Sequence, residues 1–90
     1  MTITVHGNPS CVQCRATERH VDSKGIEIEY VDLSEDLDTL AKLKSRGLAQ
    51  APVVIVLDDD GVEIDHWTEY NPDKLNEHGA KQKELALAVA

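Results

Sequence analysis

The chain has no phenylalanine, one tryptophan and two tyrosines among its 90 residues, so any core it builds must be aliphatic. Positive charge is also scarce: 9 Lys and Arg stand against 17 Asp and Glu, a formal charge of -8. Such a chain is repelled by phosphate backbones and by anionic membrane surfaces, and it carries no basic cluster or aromatic stripe to offset that. Neither a nucleic-acid nor a membrane partner is expected. Nothing approaches the roughly 18 consecutive apolar residues of a membrane span. No basic stretch precedes the alternation that begins at Thr2, so a signal peptide is not expected and the cytoplasm is the expected compartment. Cysteine occurs only at positions 11 and 14. Structural disulfides are rare in the cytosol, so the pair needs another purpose.

Apolar residues make up 41% of the chain, enough to core one domain but not two. Ile3 and Val5 alternate with polar neighbours as a strand does, until Gly7-Asn8-Pro9-Ser10 breaks the pattern. Ser10 is a candidate cap for a helix whose first turn holds Cys11 to Cys14 and whose buried face uses Val12, Ala16 and Val21. Ile26, Ile28 and Tyr30 alternate along a second strand. Ser34 is placed to start a second helix, with Leu37, Leu40 and Ala41 at helical spacing and Gly47 as its stop. Val53 to Leu57 is an unbroken aliphatic run, the pattern of a strand covered on both faces. Asp60-Gly61 signals a hairpin into a fourth strand carrying Val62, Ile64 and His66. Asn71-Pro72-Asp73 starts a third helix, which Gly79 is expected to interrupt. The order β-α-β-α-β-β-α predicts an α/β domain with a mixed four-stranded sheet and helices on both faces. Strands separated by helices are expected to pair in parallel and the hairpin antiparallel. Residues 1–80 form this domain, and 81–90 are a helical extension or tail.

Cys11-Val12-Gln13-Cys14 places two sulfurs one turn apart at the start of a helix, directly after a strand. Free N–H groups at a helix start favour an anion, so the first sulfur is expected to ionise more readily than a free thiol. The second lies on the same side, within reach of a disulfide. Cys11 is therefore expected to attack a partner disulfide and Cys14 to resolve the mixed disulfide. A purely structural bridge closing so short a loop would restrain the unfolded chain little. Zinc would need two further ligands, and His6, His20, His66 and His78 form no second paired set, so no metal is expected.

Other positions have competing readings. Ala51-Pro52 opens the aliphatic strand; spacing alone does not choose between a cis proline that exposes backbone to a partner and an ordinary trans proline at a strand start. Trp67 reads first as a packing residue. Arg15 reads as a solvated helix residue rather than a thiolate neighbour, and His6 as a polar strand end rather than a proton relay. Asp58 to Asp60 reads as a solvated turn.

The stretches Pro9-Ser10-Cys11-Val12-Gln13-Cys14, Gln50-Ala51-Pro52-Val53-Val54, and Trp67 followed by Pro72-Asp73 resemble the NrdH-type redoxins, which are glutaredoxin-like in sequence and thioredoxin-like in activity. The resemblance spans about Thr2 to His78 and implies a thioredoxin fold with a cis Pro52. It also implies a monomer cycling between dithiol and disulfide with no bound cofactor. Thioredoxin reductase would reduce it at the expense of NADPH, and it would pass electrons to the large subunit of a class Ib ribonucleotide reductase. The partner-binding set is then Val12 and Gln13, Ala51, Pro52 and Val53, and Trp67, Thr68 and Tyr70. Where that family continues its tryptophan as Ser-Gly-Phe-Arg-Pro, this chain reads Thr68-Glu69-Tyr70-Asn71-Pro72. A negative charge is added and a positive one lost in a loop expected to border the site. The alternatives are a glutathione-dependent glutaredoxin or a general protein disulfide reductase. The Gly-Gly and acidic motif that glutaredoxins use to hold glutathione is missing here.

Overall fold

A computed structural model describes residues 1–89. The elements are β1 (Thr2–Gly7), α1 (Val12–Lys24), β2 (Glu29–Asp32), α2 (Leu37–Ser45), β3 (Val53–Leu57), β4 (Glu63–Thr68) and α3 (Pro72–Val89). The strands form one four-stranded sheet in the order β2-β1-β3-β4. β1 and β2 run parallel, with Val5 opposite Tyr30. The β1–β3 pair is antiparallel, with Val5 opposite Val54, although α1, β2 and α2 lie between the two in sequence. This corrects the expectation that every helix-separated pair is parallel. Apolar alternation sets which face a residue occupies and carries no information on strand direction. β3 and β4 form the antiparallel hairpin, entered through Gly61 at φ 80°.

Two cores sit on opposite faces of the sheet. Ile3, Val5, Val54, Val56 and Trp67 pack with Val21 of α1 and Leu75 of α3. Val53, Leu33 and Leu43 of α2 pack on the other face, joined by Ile55 and Leu40. Successive residues of β3 thus feed both cores, as its unbroken aliphatic run predicted. Each fully buried valine there contributes on the order of 1.5–3 kcal/mol.

Several local details depart from the sequence reading. The buried face of α1 is Cys14, Thr17 and Val21, while Val12 is 74% exposed. Position 12 is the first residue of the helix, and the buried face begins only at Cys14. Helix α2 is capped by Asp36, whose carboxylate accepts the Thr39 N–H, and not by Ser34. Ser34 instead bonds Asp32 with its backbone and its hydroxyl. A register shift in β4 opposite Val56 and Leu57 falls at Ile64, which is exposed, as is Val62, which precedes the strand. Trp67 of β4 is buried, and Asp65 pairs with Lys74 and His78 of α3. Gly79 does not interrupt α3, and a Cβ there would lie 2.5 Å from Cδ1 of Ile26. The missing side chain is what lets the helix pass over Ile26. Beyond it, Gln82 closes two hydrogen bonds onto the backbone of Glu27, and Lys83 reaches the carbonyl of Lys24.

Candidate active site

The loop that carries the sulfurs is fixed before α1 begins. Asn8 folds back so that its side chain accepts from both the backbone and the hydroxyl of Ser10. The Asn8 carbonyl accepts the Cys11 N–H, and the Arg15 guanidinium donates to the Pro9 carbonyl at 2.9 Å. Arg15 therefore braces the loop. Ser10 is occupied by Asn8, and the cap of α1 is Cys11 itself: its Sγ accepts the Cys14 N–H at 3.0 Å. The reading of Ser10 as cap is corrected by one residue. The consequence is chemical, since the helix N–H expected to favour a sulfur anion points at Cys11 Sγ.

Cys11 and Cys14 form a disulfide with their Cα atoms 5.2 Å apart. The two sulfurs are not equivalent. Cys11 is partly exposed, whereas Cys14 is 1% exposed beneath it. The close approach is made possible by Gly7 at the end of β1, where a Cβ would fall 2.7 Å from Cys14 Sγ and 2.8 Å from the Tyr30 hydroxyl. In the sequence Gly7 is visible only as the first residue of a strand break. Its second role, leaving space for a sulfur and a phenol, has no local signal.

The Ala51–Pro52 peptide is cis. Pro52 is buried, its carbonyl accepts the Glu69 N–H at 2.8 Å, and Val53 pairs with Thr68. The Gln13 side chain accepts the Tyr70 N–H at 2.9 Å, and the Tyr70 hydroxyl meets Nδ1 of His20 at 3.0 Å. These bonds tie Gln13, between the two cysteines, to Tyr70, and through Glu69 and the Val53–Thr68 pairing to Pro52, while Val12 is exposed beside them. Ala51 reaches a groove of about 380 Å³ that is also lined by Pro9, Ser10, Leu37, Leu40 and Leu48. Trp67 is 7% exposed, with its indole stacked on the His78 ring at a centroid distance of 5.6 Å. Its packing reading accounts for its position. His6 is buried with Nδ1 2.9 Å from the Val53 carbonyl, so it secures the β1–β3 junction.

Glu69 has a left-handed backbone, φ 67°. Such a conformation favours glycine and costs another residue about 1 kcal/mol or more. It is maintained because the amides of Glu69 and Tyr70 are both held, one by Pro52 and one by Gln13. Further away, Asp65 accepts from Lys74 Nζ and His78 Nε2, each at 2.8 Å. Burial opposes ionisation of Asp65, but these bonds outweigh it and hold the carboxyl at about 2. Glu77 lies close enough for its carboxylate and the Asp65 and His78 ligand atoms to fall within 4.8 Å of one another. The Lys74 ammonium already supplies the positive charge there.

Residues 1–62 match the glutaredoxin family model. The chain is 36% identical over 76 residues to the glutaredoxin-like protein NrdH of Salmonella typhimurium, covering 84% of this chain and 86% of that one. In structure it is similar to the NrdH-redoxin of Escherichia coli, a glutaredoxin-like protein with a thioredoxin-like activity profile. The TM-score is 0.75 at 31% identity, covering 86% of this chain and 93% of the other. Fasciola hepatica thioredoxin shares the fold, with a TM-score of 0.72 at 21% identity, over 89% of this chain and 78% of that one. With a disulfide at the head of α1 and these relatives over most of its length, the chain belongs to the glutaredoxin family as an NrdH-type thiol–disulfide oxidoreductase.

Proposed function

We propose that this redoxin is a cytoplasmic, monomeric electron donor that is reduced by thioredoxin reductase with NADPH and passes the electrons to the large subunit of a class Ib ribonucleotide reductase. The observation that carries the reading is the asymmetry of the two sulfurs. Cys11 is accessible and receives a helix N–H, while Cys14 is 1% exposed. Cys11 as thiolate attacks one sulfur of the partner disulfide, and the other partner sulfur leaves with the bonding electron pair and takes up a proton. Cys14 then loses its proton and attacks Cys11 Sγ. The Cys11–partner bond breaks, the Cys11–Cys14 bond forms, and the second partner sulfur leaves as a thiolate. Two electrons have moved to the partner.

The surroundings suit an extended cysteine-bearing segment. Backbone at Ala51 beside the cis peptide offers strand-like pairing, and the groove lined by Leu37, Leu40 and Leu48 offers apolar contact. The thioredoxin-like profile of the Escherichia coli relative supports thioredoxin reductase over glutathione as the electron source. The test is insulin reduction with NADPH and thioredoxin reductase, run beside a glutathione-coupled mixed-disulfide assay. Turnover in the first and little in the second is expected. The reverse pattern would replace this reading with that of a glutathione-dependent glutaredoxin. A Cys14→Ser variant should trap the physiological partner on Cys11; captured proteins that do not include the ribonucleotide reductase would remove that assignment.

A further inference from the structure

Cys14 has to ionise in a setting that opposes it. Its side chain is buried, and burial in apolar surroundings raises a thiol pKa. The helix N–H at this site is spent on Cys11, not on Cys14. A Cβ built at Gly7 would meet Cys14 Sγ at 2.7 Å and the Tyr30 hydroxyl at 2.8 Å, so an uncharged donor borders the same small space as the Cys14 sulfur. Tyr30 stands opposite Val5 in the β1–β2 register and leans along the sheet toward Gly7.

We infer that Tyr30 is a positioning residue for the resolving step: when the disulfide is open, its hydroxyl donates a hydrogen bond to the Cys14 sulfur and favours the thiolate. The phenol keeps its proton throughout. Tyr30 is 40% exposed overall, but partial desolvation of its hydroxyl, then the negative charges of Glu18 on α1 and Asp32 on β2, push its ionisation above the ordinary tyrosine value, so it donates and does not act as a base. His6, the neighbouring titratable group on β1, is directed to the Val53 carbonyl. In the step itself the Cys14 proton passes to solvent and the thiolate displaces the partner sulfur from Cys11. That sulfur leaves with the electron pair, and the Tyr30 O–H is not consumed.

The inference rests on Cys14 being the resolving thiol, and the experiment separates the two ideas. Tyr30→Phe retains the ring and removes the donor. In a Cys11→Ser background, thiolate absorbance followed against pH should show the Cys14 transition moved up by about one unit. In the protein with both cysteines, release from a preformed mixed disulfide at neutral pH should slow about three- to fourfold, an approximately tenfold loss of thiolate partly offset by its greater nucleophilicity, and the slowing should vanish in alkali. An unmoved Cys14 transition would overturn the role of Tyr30. So would an equal shift of Cys11 in a Cys14→Ser background, which would indicate a general field and not a directed bond. Partner capture by Cys14 in place of Cys11, with Tyr30 intact, would refute the assignment of the resolving thiol itself.

Discussion

Asp65 links acidity to stability in a way that can be measured through the chain's single tryptophan. Its carboxyl is lowered from 3.8 to about 2 in the fold, where Lys74 and His78 donate to it against the opposing effect of burial. A shift of that size corresponds to about 2.5 kcal/mol. Because the Lys74 side chain is 38% exposed, screening reduces this to about 1–2 kcal/mol. The sign follows from the direction. A carboxyl whose folded value is depressed contributes fully above its unfolded value near pH 4, and the contribution disappears as pH falls through about 2. Asp36 and Glu63 are also lowered, by Thr39 and by Arg46 respectively, so the wild-type slope alone does not identify Asp65. The comparison with Asp65→Asn does. Urea unfolding followed by Trp67 fluorescence should show the variant about 1–2 kcal/mol less stable at neutral pH. The two curves should converge between about pH 4 and pH 2. Trp67 stacks on His78, so the probe reads the same cluster. Curves that stay parallel across that window would refute the reasoning.

Three further outcomes are expected. Gly79→Ala gains about 1 kcal/mol of helix propensity but drives a methyl into buried Ile26, at an overpacking cost of about 1–3 kcal/mol. The melting temperature should fall, and Ile26→Val, which removes the nearer atom, should couple favourably with it in a double-mutant cycle. Gly7→Ala places Cβ against Cys14 Sγ and the Tyr30 hydroxyl, so unfolding should show a loss of about 1–3 kcal/mol and the disulfide should re-form more slowly after reduction. Glu69→Gly relieves the left-handed strain and should raise stability by about 0.5–1 kcal/mol. It also deletes a negative charge beside the site, so turnover with disulfide peptides flanked by lysine should fall relative to those flanked by glutamate, and unchanged relative rates would show that the charge takes no part in selection.

The parts of the fold written in local pattern were legible in the sequence. The aliphatic run Val53 to Leu57 announces a strand covered on both faces, and the Asp60-Gly61 turn announces its hairpin. Cys-x-x-Cys between a strand and a helix locates the chemistry, because spacing and helix polarity are both local. Features that depend on what another segment brings were not legible. The direction of β3 beside β1 is one. Another is the register shift that falls at exposed Ile64 while Trp67 stays buried. Gly79 is a helix breaker by propensity and a contact residue by position, and only Ile26, far away in sequence, decides between them. Tyr30 presents the same problem at the site: alternation places it on β2, but its hydroxyl acquires meaning only beside Gly7 and Cys14.

Helix α1 has no dedicated side chain to begin it; the atom that undergoes chemistry also serves as its first acceptor. Each turnover therefore changes the electron density on the group that anchors the helix. A charged sulfur holds the Cys14 amide more tightly than a neutral one, so opening the disulfide firms the entrance to α1 as it arms the nucleophile. A substitution that frays the first turn would then weaken the electron-rich form more than the closed one, making the disulfide harder to reduce and the dithiol a stronger donor.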